Sequence, residues 1–290
     1  MKKALTFLLL MAIGGGSDAW AQGFSGGFRA GLNFNQFGGP SEQDNNGADL
    51  ESFNFITGFN IGASFIYSFT DLVGVKADLM YSQKGSEYVY DGASYFVFYN
   101  PNTGNETITL TGTRRTDKNQ INTYIDLPVQ AFVRLGKLEL SGGVNVGVLI
   151  SSLGSGGIRF TPSNSSVAPF SVTLDENFLR DKRGNASIKE GESRMIDGRA
   201  VNFPTTIGAY YEAVAEDGKK FNRLDLGLVG ELSFFLSQGL YVSARANYGL
   251  SDITNNEQDV ARAQRQSGQY QLRNDKDYNL SLQAGVGFRF

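Results

Sequence analysis

The chain has no cysteine and no histidine. Without cysteine there can be no disulfide, thiol nucleophile or thiolate metal site, and no lipid-anchored N-terminal cysteine. Without histidine, a Ser-His-Asp triad and an imidazole metal site are excluded, while a carboxylate pair remains possible. Proline is scarce, at six in 290 residues, and Trp20 is the only tryptophan. Beyond the N-terminal segment there is no apolar stretch of the roughly 20 residues that a membrane helix needs. Charge of neither sign dominates, with 26 basic and 29 acidic residues, which gives no support for nucleic-acid binding.

The N-terminus sets the compartment. Lys2 and Lys3 precede an apolar run over residues 5–13, and Ala19-Trp20-Ala21 forms a small-x-small site before Gln22. This is the pattern of a secretory signal peptide cleaved between Ala21 and Gln22, with residues 22–290 as one mature domain. With Lys2, Lys3 and Asp18 removed, 24 basic and 28 acidic residues remain, a net charge of −4. An exported chain without a spanning helix can cross a membrane only as a closed barrel, in which neighbouring strands satisfy every backbone group.

Period-two alternation supplies the strands. Eight segments show it: residues 24–35, 53–69, 73–82, 121–134, 138–148, 224–234, 242–250 and 278–290. In the third, Val73, Val75, Ala77, Leu79 and Tyr81 alternate with Gly74, Lys76, Asp78 and Ser82. In the last, Leu280, Leu282, Ala284, Val286 and Phe288 alternate with Ser281, Gln283, Gly285, Gly287 and Arg289. Tight turns at Thr70-Asp71, Gly136 and Ser237-Gln238-Gly239 alternate with long polar connections, the asymmetry of outer-membrane barrels. The predicted fold is all-β: an eight-stranded antiparallel up-and-down transmembrane barrel with long extracellular loops. A soluble barrel with its apolar face inward would show the same alternation; the export signal and the loop asymmetry favour the membrane. Phe290 ends the last strand and resembles the terminal signal read by the barrel-assembly machinery.

One motif resembles a known family. Tyr124-Ile125-Asp126-Leu127-Pro128-Val129, then Gly136-Lys137 and Gly142-Gly143-Val144-Asn145-Val146-Gly147, is similar to the core of the PorT-like outer-membrane β-barrel family of Bacteroidetes. The stretch 225–230 and the run 248–253 extend the resemblance over most of the mature chain. It implies a barrel fold and, through some members, a part in type IX protein secretion or gliding.

Arg29, Lys76, Arg134, Arg245 and Arg289 fall on the parity assigned to the lumen, as do Asp78, Asp126, Glu139, Asp225 and Glu231. The interior of an eight-stranded barrel is just wide enough to be filled by side chains, so these charges are expected to pair across strands as a structural network; the competing reading is a proton or ion path. Pro128 is expected to mark a break or bulge in the ladder. The segment 44–49 lacks the spacing and closing glutamate of a calcium loop, and Gly154-Ser155-Gly156-Gly157 does not join a strand to a helix as a phosphate loop does. The connection 84–119 reads as a hairpin extending two strands above the membrane. The connection 151–220 is the longest, and is either a solvated shield or a binding surface. No catalytic group, cofactor or metal site is expected. The expected role is a non-enzymatic envelope protein binding a protein or glycan through its loops. The alternatives are a secretion accessory and a narrow channel. Outer-membrane lipid, lipopolysaccharide and, during biogenesis, the assembly machinery are the other expected partners.

Overall fold

The computed structural model describes residues 23–100, 103–182, 187–213 and 219–290. The signal segment and its Ala21–Gln22 junction lie outside them. In chain order the strands are β1 (Phe24–Gly38), β2 (Glu51–Asn54), β3 (Ile56–Ser68), β4 (Val73–Tyr99), β5 (Glu106–Leu135), β6 (Leu138–Pro162), β7 (Phe170–Asn177), β8 (Ser187–Ile196), β9 (Arg199–Ile207), β10 (Leu224–Phe235), β11 (Leu240–Gly249), β12 (Val260–Gln266), β13 (Gln269–Leu272) and β14 (Tyr278–Arg289).

Eight of them close a ring in the order β1, β3, β4, β5, β6, β10, β11, β14, and β14 pairs with β1. Each neighbour is antiparallel. A closed ring leaves no strand edge inside the bilayer. At its seam, the Phe290 N–H donates to the Gly26 carbonyl at 2.9 Å. Gly31 sits at the same seam, where a Cβ would collide with the Ala284 carbonyl, so only glycine permits this close approach.

Parity decides the two faces. Phe28, Phe65, Leu79, Leu127, Val144, Leu228, Val242 and Val286 all point outward and stay exposed. Aromatic rings border this apolar belt at both ends. Phe28 stacks on Phe288 toward the short turns, while Phe59 stacks on Tyr81 and Tyr248 meets Tyr278 toward the long connections. Such girdles mark the two interfaces of a barrel membrane protein. On β4 and β5 the belt runs from Val73 to Tyr81 and from Ile121 to Val133, and the strands continue well beyond it.

The short turns are built locally. Gly136, at φ +62°, and Lys137 join β5 to β6, and positive φ is the conformation a two-residue hairpin requires. Thr70 Oγ1 accepts the N–H groups of Leu72 and Val73, each at 3.1 Å, to close the β3–β4 turn.

Several expectations need correction. The segment 53–69 is two strands: the chain breaks at Phe55, and β2 pairs with β4 from Glu51↔Tyr90 to Asn54↔Glu87. Pro128 gives the expected break in the ladder, but no bulge. Its β4 ladder lacks bonded pairs between Ala77↔Val129 and Met80↔Asp126, yet the register is unchanged, because a missing N–H interrupts hydrogen bonding without adding a residue. The bulge lies in β6 at Ile150, opposite the step from Thr123 to Tyr124. The connection 151–220 is not simply solvated loop. β6 continues to Pro162, and β7, β9 and β8 extend its sheet. The run 154–157 lies inside β6. The hairpin expected over 84–119 is present as the upper halves of β4 and β5.

Together these additions form a crown. Phe96 and Phe98 of β4, Phe160 of β6, Val172 of β7 and Phe203 of β9 pack into a core above the barrel. A second cluster, which includes Phe37, Tyr124, Leu149, Phe178, Phe221 and Ile253, fills the neck between crown and lumen. The β12–β13 hairpin lies against β4, where Tyr95 donates to the Ala261 carbonyl at 2.8 Å.

Candidate functional site: an ion-paired lumen beneath a folded crown

Inward parity brings the ten charged residues into the barrel, where they form two tiers. In the lower tier Glu231 on β10 is the hub. It receives Arg29 Nη1 at 2.8 Å, Lys76 Nζ at 3.1 Å, Arg245 Nε at 2.5 Å and the Ser233 hydroxyl at 2.9 Å. Arg245 also pairs with Asp78, on the diametrically opposite strand of the ring. Arg29 approaches the same Asp78 oxygen at 3.4 Å. Near the short turns, Glu139 collects Lys76 at 3.2 Å, Arg134 at 2.8 Å and Arg289 at 3.2 Å. Arg134 is the least enclosed of the ten, with 27 % of its side chain exposed at the barrel end.

In the upper tier Asp126 and Asp225 share one cation. Lys84 Nζ lies 3.0 Å from Asp126 and 2.9 Å from Asp225, with the Tyr124 ring 4.7 Å away. Asn145 donates to Asp126 at 3.1 Å and Asn279 to Asp225 at 3.0 Å. Lys84 is absent from the residues expected in the lumen because the connection 84–119 begins with it. Its signal is the parity of β4: Lys76, Asp78, Ser82 and Lys84 all share it.

A buried charge is tolerated only when paired and hydrogen-bonded. Each of these carboxylates faces at least one cation, and the pairs cross the lumen in several directions. The arrangement stitches opposite walls together and leaves the interior occupied by side chains.

A sequence model of the outer membrane protein β-barrel domain matches residues 20–255. The chain belongs to that family. Membership of the outer membrane protein β-barrel family agrees with the closed ring and its outward belt, and places the protein in the outer membrane. No curated protein sequence matches the chain. Among solved structures, the attachment invasion locus protein Ail of Yersinia pestis aligns at 13% identity, over 92% of this chain and 99% of that one, with a TM-score of 0.34. OprG of Pseudomonas aeruginosa aligns at 14% identity over 92% and 96%, with a TM-score of 0.34. Neisserial surface protein A aligns at 11% identity over 93% and 100%, with a TM-score of 0.32.

Above the belt, the four long connections of the barrel converge on a cavity of about 100 Å³. Phe53 comes from the first, Tyr88 and Arg114 from the second, Glu176 and Glu212 from the third, and Arg262 and Arg273 from the fourth. Charges pair around it: Arg114 Nη2 with Glu212 at 2.6 Å, Arg262 with Glu212 at 2.8 Å, Lys118 with Glu176 at 3.1 Å, and Lys220 with Asp259 at 3.5 Å. Arg273 ties the first connection to the fourth, reaching Glu51, the Pro40 carbonyl at 2.7 Å and Asp275. Burial pushes the Lys118 amine below its ordinary range, against the opposing pull of Glu176. Burial also pushes the Asp277 carboxyl up to about 6, reinforced by Asp259 and Asp275 and opposed by Thr254 and Lys220.

The segment 44–49 holds itself: Asp44 Oδ1 accepts the N–H groups of Asn46 and Ala48, both at 2.8 Å, and Gly47 supplies a φ of +82°. Among the described residues no group of three or more acidic side chains is placed to hold a metal ion. The cavity lining escaped sequence reading because its residues are scattered over more than two hundred positions, and no local pattern links them.

Proposed function

We propose that this protein is a non-enzymatic outer-membrane scaffold that displays its crown at the cell surface and binds an envelope protein or a glycan through it. The carrying observation is the division of labour between the two halves. The barrel interior is taken up by ion pairs, while the described parts of the four long connections fold into a body with its own aromatic core and a polar cavity. A loop that only shields a barrel needs no such core, and long ordered connections are characteristically functional. On this reading the ten lumen charges and Lys84 are structural. The outward belt faces outer-membrane lipid, including lipopolysaccharide in the outer leaflet, and Phe290 serves the assembly machinery.

A second reading, an accessory of a type IX-like secretion complex, draws on the PorT-like motif at 124–129 and 142–147. That motif lies in the barrel wall at the level of the upper tier, where Asp126 and Asn145 bond to each other. Site-specific photo-crosslinking in intact cells separates the two. A probe at Gln269 on the crown should yield adducts with a discrete envelope protein or glycan, while a probe at Leu228 in the belt should not. Adducts composed of secretion components would favour the second reading. Absence of any crown adduct contradicts an interaction role.

A further inference from the structure

We infer that the notch between the upper end of β1 and β2, just above the membrane belt, is a docking slot for an extended peptide segment of an envelope protein in which basic and apolar residues alternate. This deepens the proposed interaction role and rests on it.

The slot follows from strand pairing. The β1–β3 ladder ends at Asn35↔Ile56, while β1 continues to Gly38 along β14. β2 pairs with β4 alone, and no rung joins it to β1 among the described residues. Between the rungs Asn60↔Ser82 and Asn54↔Glu87, the chain from β2 to β3 holds one residue more than β4. An extra residue bends its strand, and here it turns β2 away from β1.

Backbone groups on both sides are left facing the gap. Gly26 accepts the Phe290 N–H on the β14 side, and Gly23 accepts the Ser68 N–H on the β3 side. Antiparallel bonding alternates along a strand, so the odd-numbered residues of β1 bond toward β3. Phe37 is the first of these beyond the end of the ladder. On β2 the Leu50 carbonyl accepts the Asp91 N–H at 2.9 Å, so Glu51 and Phe53 turn their backbone groups toward β1. Gln36 Nε2 crosses the gap to the Phe53 carbonyl at 2.8 Å, a side-chain amide standing where the main chain of an intervening strand would.

The space is about 520 Å³ and is rimmed by the exposed Asp49, Ser52 and Asp91. Phe34 is the last large outward apolar residue of β1, so Gln36 stands just above the belt. Open strand edges are normally covered, and adding a strand is how many domains capture extended peptides. Gln36 to Gly39 spans about 10 Å, which matches about three residues of an added strand. Side chains of such a strand alternate between two surroundings. On the inner side lie the rings of Phe37 and Phe53, with centroids 6.2 Å apart. On the outer side lie Asp49 and Asp91, and no lysine or arginine lines the slot. Glu51 and Asp91 are paired with Arg273 and Arg115, but Asp49 has only Gln43, at 2.9 Å, among the described residues. Apolar residues on one face and cations on the other complement these surroundings.

Isothermal titration of the full mature protein in detergent with a blocked pentapeptide of alternating lysine and valine tests the slot. Two comparison peptides carry glutamate in place of lysine, or methyl groups on the valine nitrogens. Each should bind about tenfold more weakly, the first through lost charge complementarity and the second through lost hydrogen bonds to a strand edge. Asp49→Asn should weaken the lysine peptide severalfold. Gln36→Ala should tighten it, because no amide has to be displaced from Phe53. Asp71→Asn, in the β3–β4 turn at the opposite end of the barrel, should change nothing. The peptide comparison on the unmodified protein stands even if a variant folds poorly. No binding of the lysine peptide, or equal binding of its methylated form, overturns the proposal. Crown adducts that persist in that case would leave the interaction role standing without this site.

Discussion

Lys84 on β4 reaches across the lumen to Asp225 on β10, three strands away around the ring, with Nζ and Oδ2 2.9 Å apart. The same ammonium holds Asp126 on β5 at 3.0 Å. One cation therefore anchors two carboxylates from different walls. Lys84→Met should strand both and destabilise the barrel by about 3–5 kcal/mol, a typical cost of breaking a buried pair. Urea titration in detergent measures it. A loss within the range of ordinary surface substitutions would mean the tier is solvated.

Glu231 and Arg245 are direct cross-strand partners on β10 and β11. Glu231→Ala should be worse than Arg245→Ala, because it leaves Arg29, Lys76 and Arg245 without their shared carboxylate. The double variant should lose less than the sum of the two, since each single change strands a charge that the double removes. Strictly additive losses in thermal melts would show that the two side chains do not interact.

The sequence made the barrel legible because burial inside a membrane barrel follows strand parity, and parity is local. Leu226, Leu228 and Leu232 against Asp225, Glu231 and Ser233 can be assigned to two faces from one short window. The crown was not legible because its core obeys no single period. Tyr95, Phe96, Val97 and Phe98 are consecutive and all buried, since β4 there is covered on both faces by the crown. Their partners Phe160, Phe170 and Phe203 lie far along the chain. Lys84 falls between the two regimes: it obeys the barrel's parity but lies beyond the apolar belt, where β4 continues without outward alternation of large apolar residues.

The outward face tolerates charge poorly. Leu228→Arg, near mid-belt, should cost about 2–4 kcal/mol. Ser165→Arg, exposed in the β6–β7 turn, should stay within about 0.5 kcal/mol of the parent. Folding assays into lipid vesicles make the comparison, and equal tolerance at both positions would reverse the assignment of faces.

Asp277 gives the crown a pH dependence. Its carboxyl is raised from 3.8 to about 6 in the folded protein, so the folded state holds the proton more tightly than the unfolded chain. The resulting stabilisation is complete below about pH 4 and is lost as pH rises through 6. Asp277→Asn stays neutral throughout. The Tm difference between variant and parent should therefore grow in the variant's favour from pH 4 to 6.5 and be flat above pH 7. A difference that does not vary over this window would show that Asp277 is solvated.

A barrel that is a filled scaffold, with function residing in the crown, carries no ion current of its own. Planar-bilayer recording of the purified mature protein tests it most directly. A lumen occupied by the Glu231 and Lys84 networks predicts no discrete conductance steps above the bare bilayer. Reproducible single-channel steps from the unmodified protein, altered in size by Lys84→Met, would make the lumen a permeation path and not a filled scaffold.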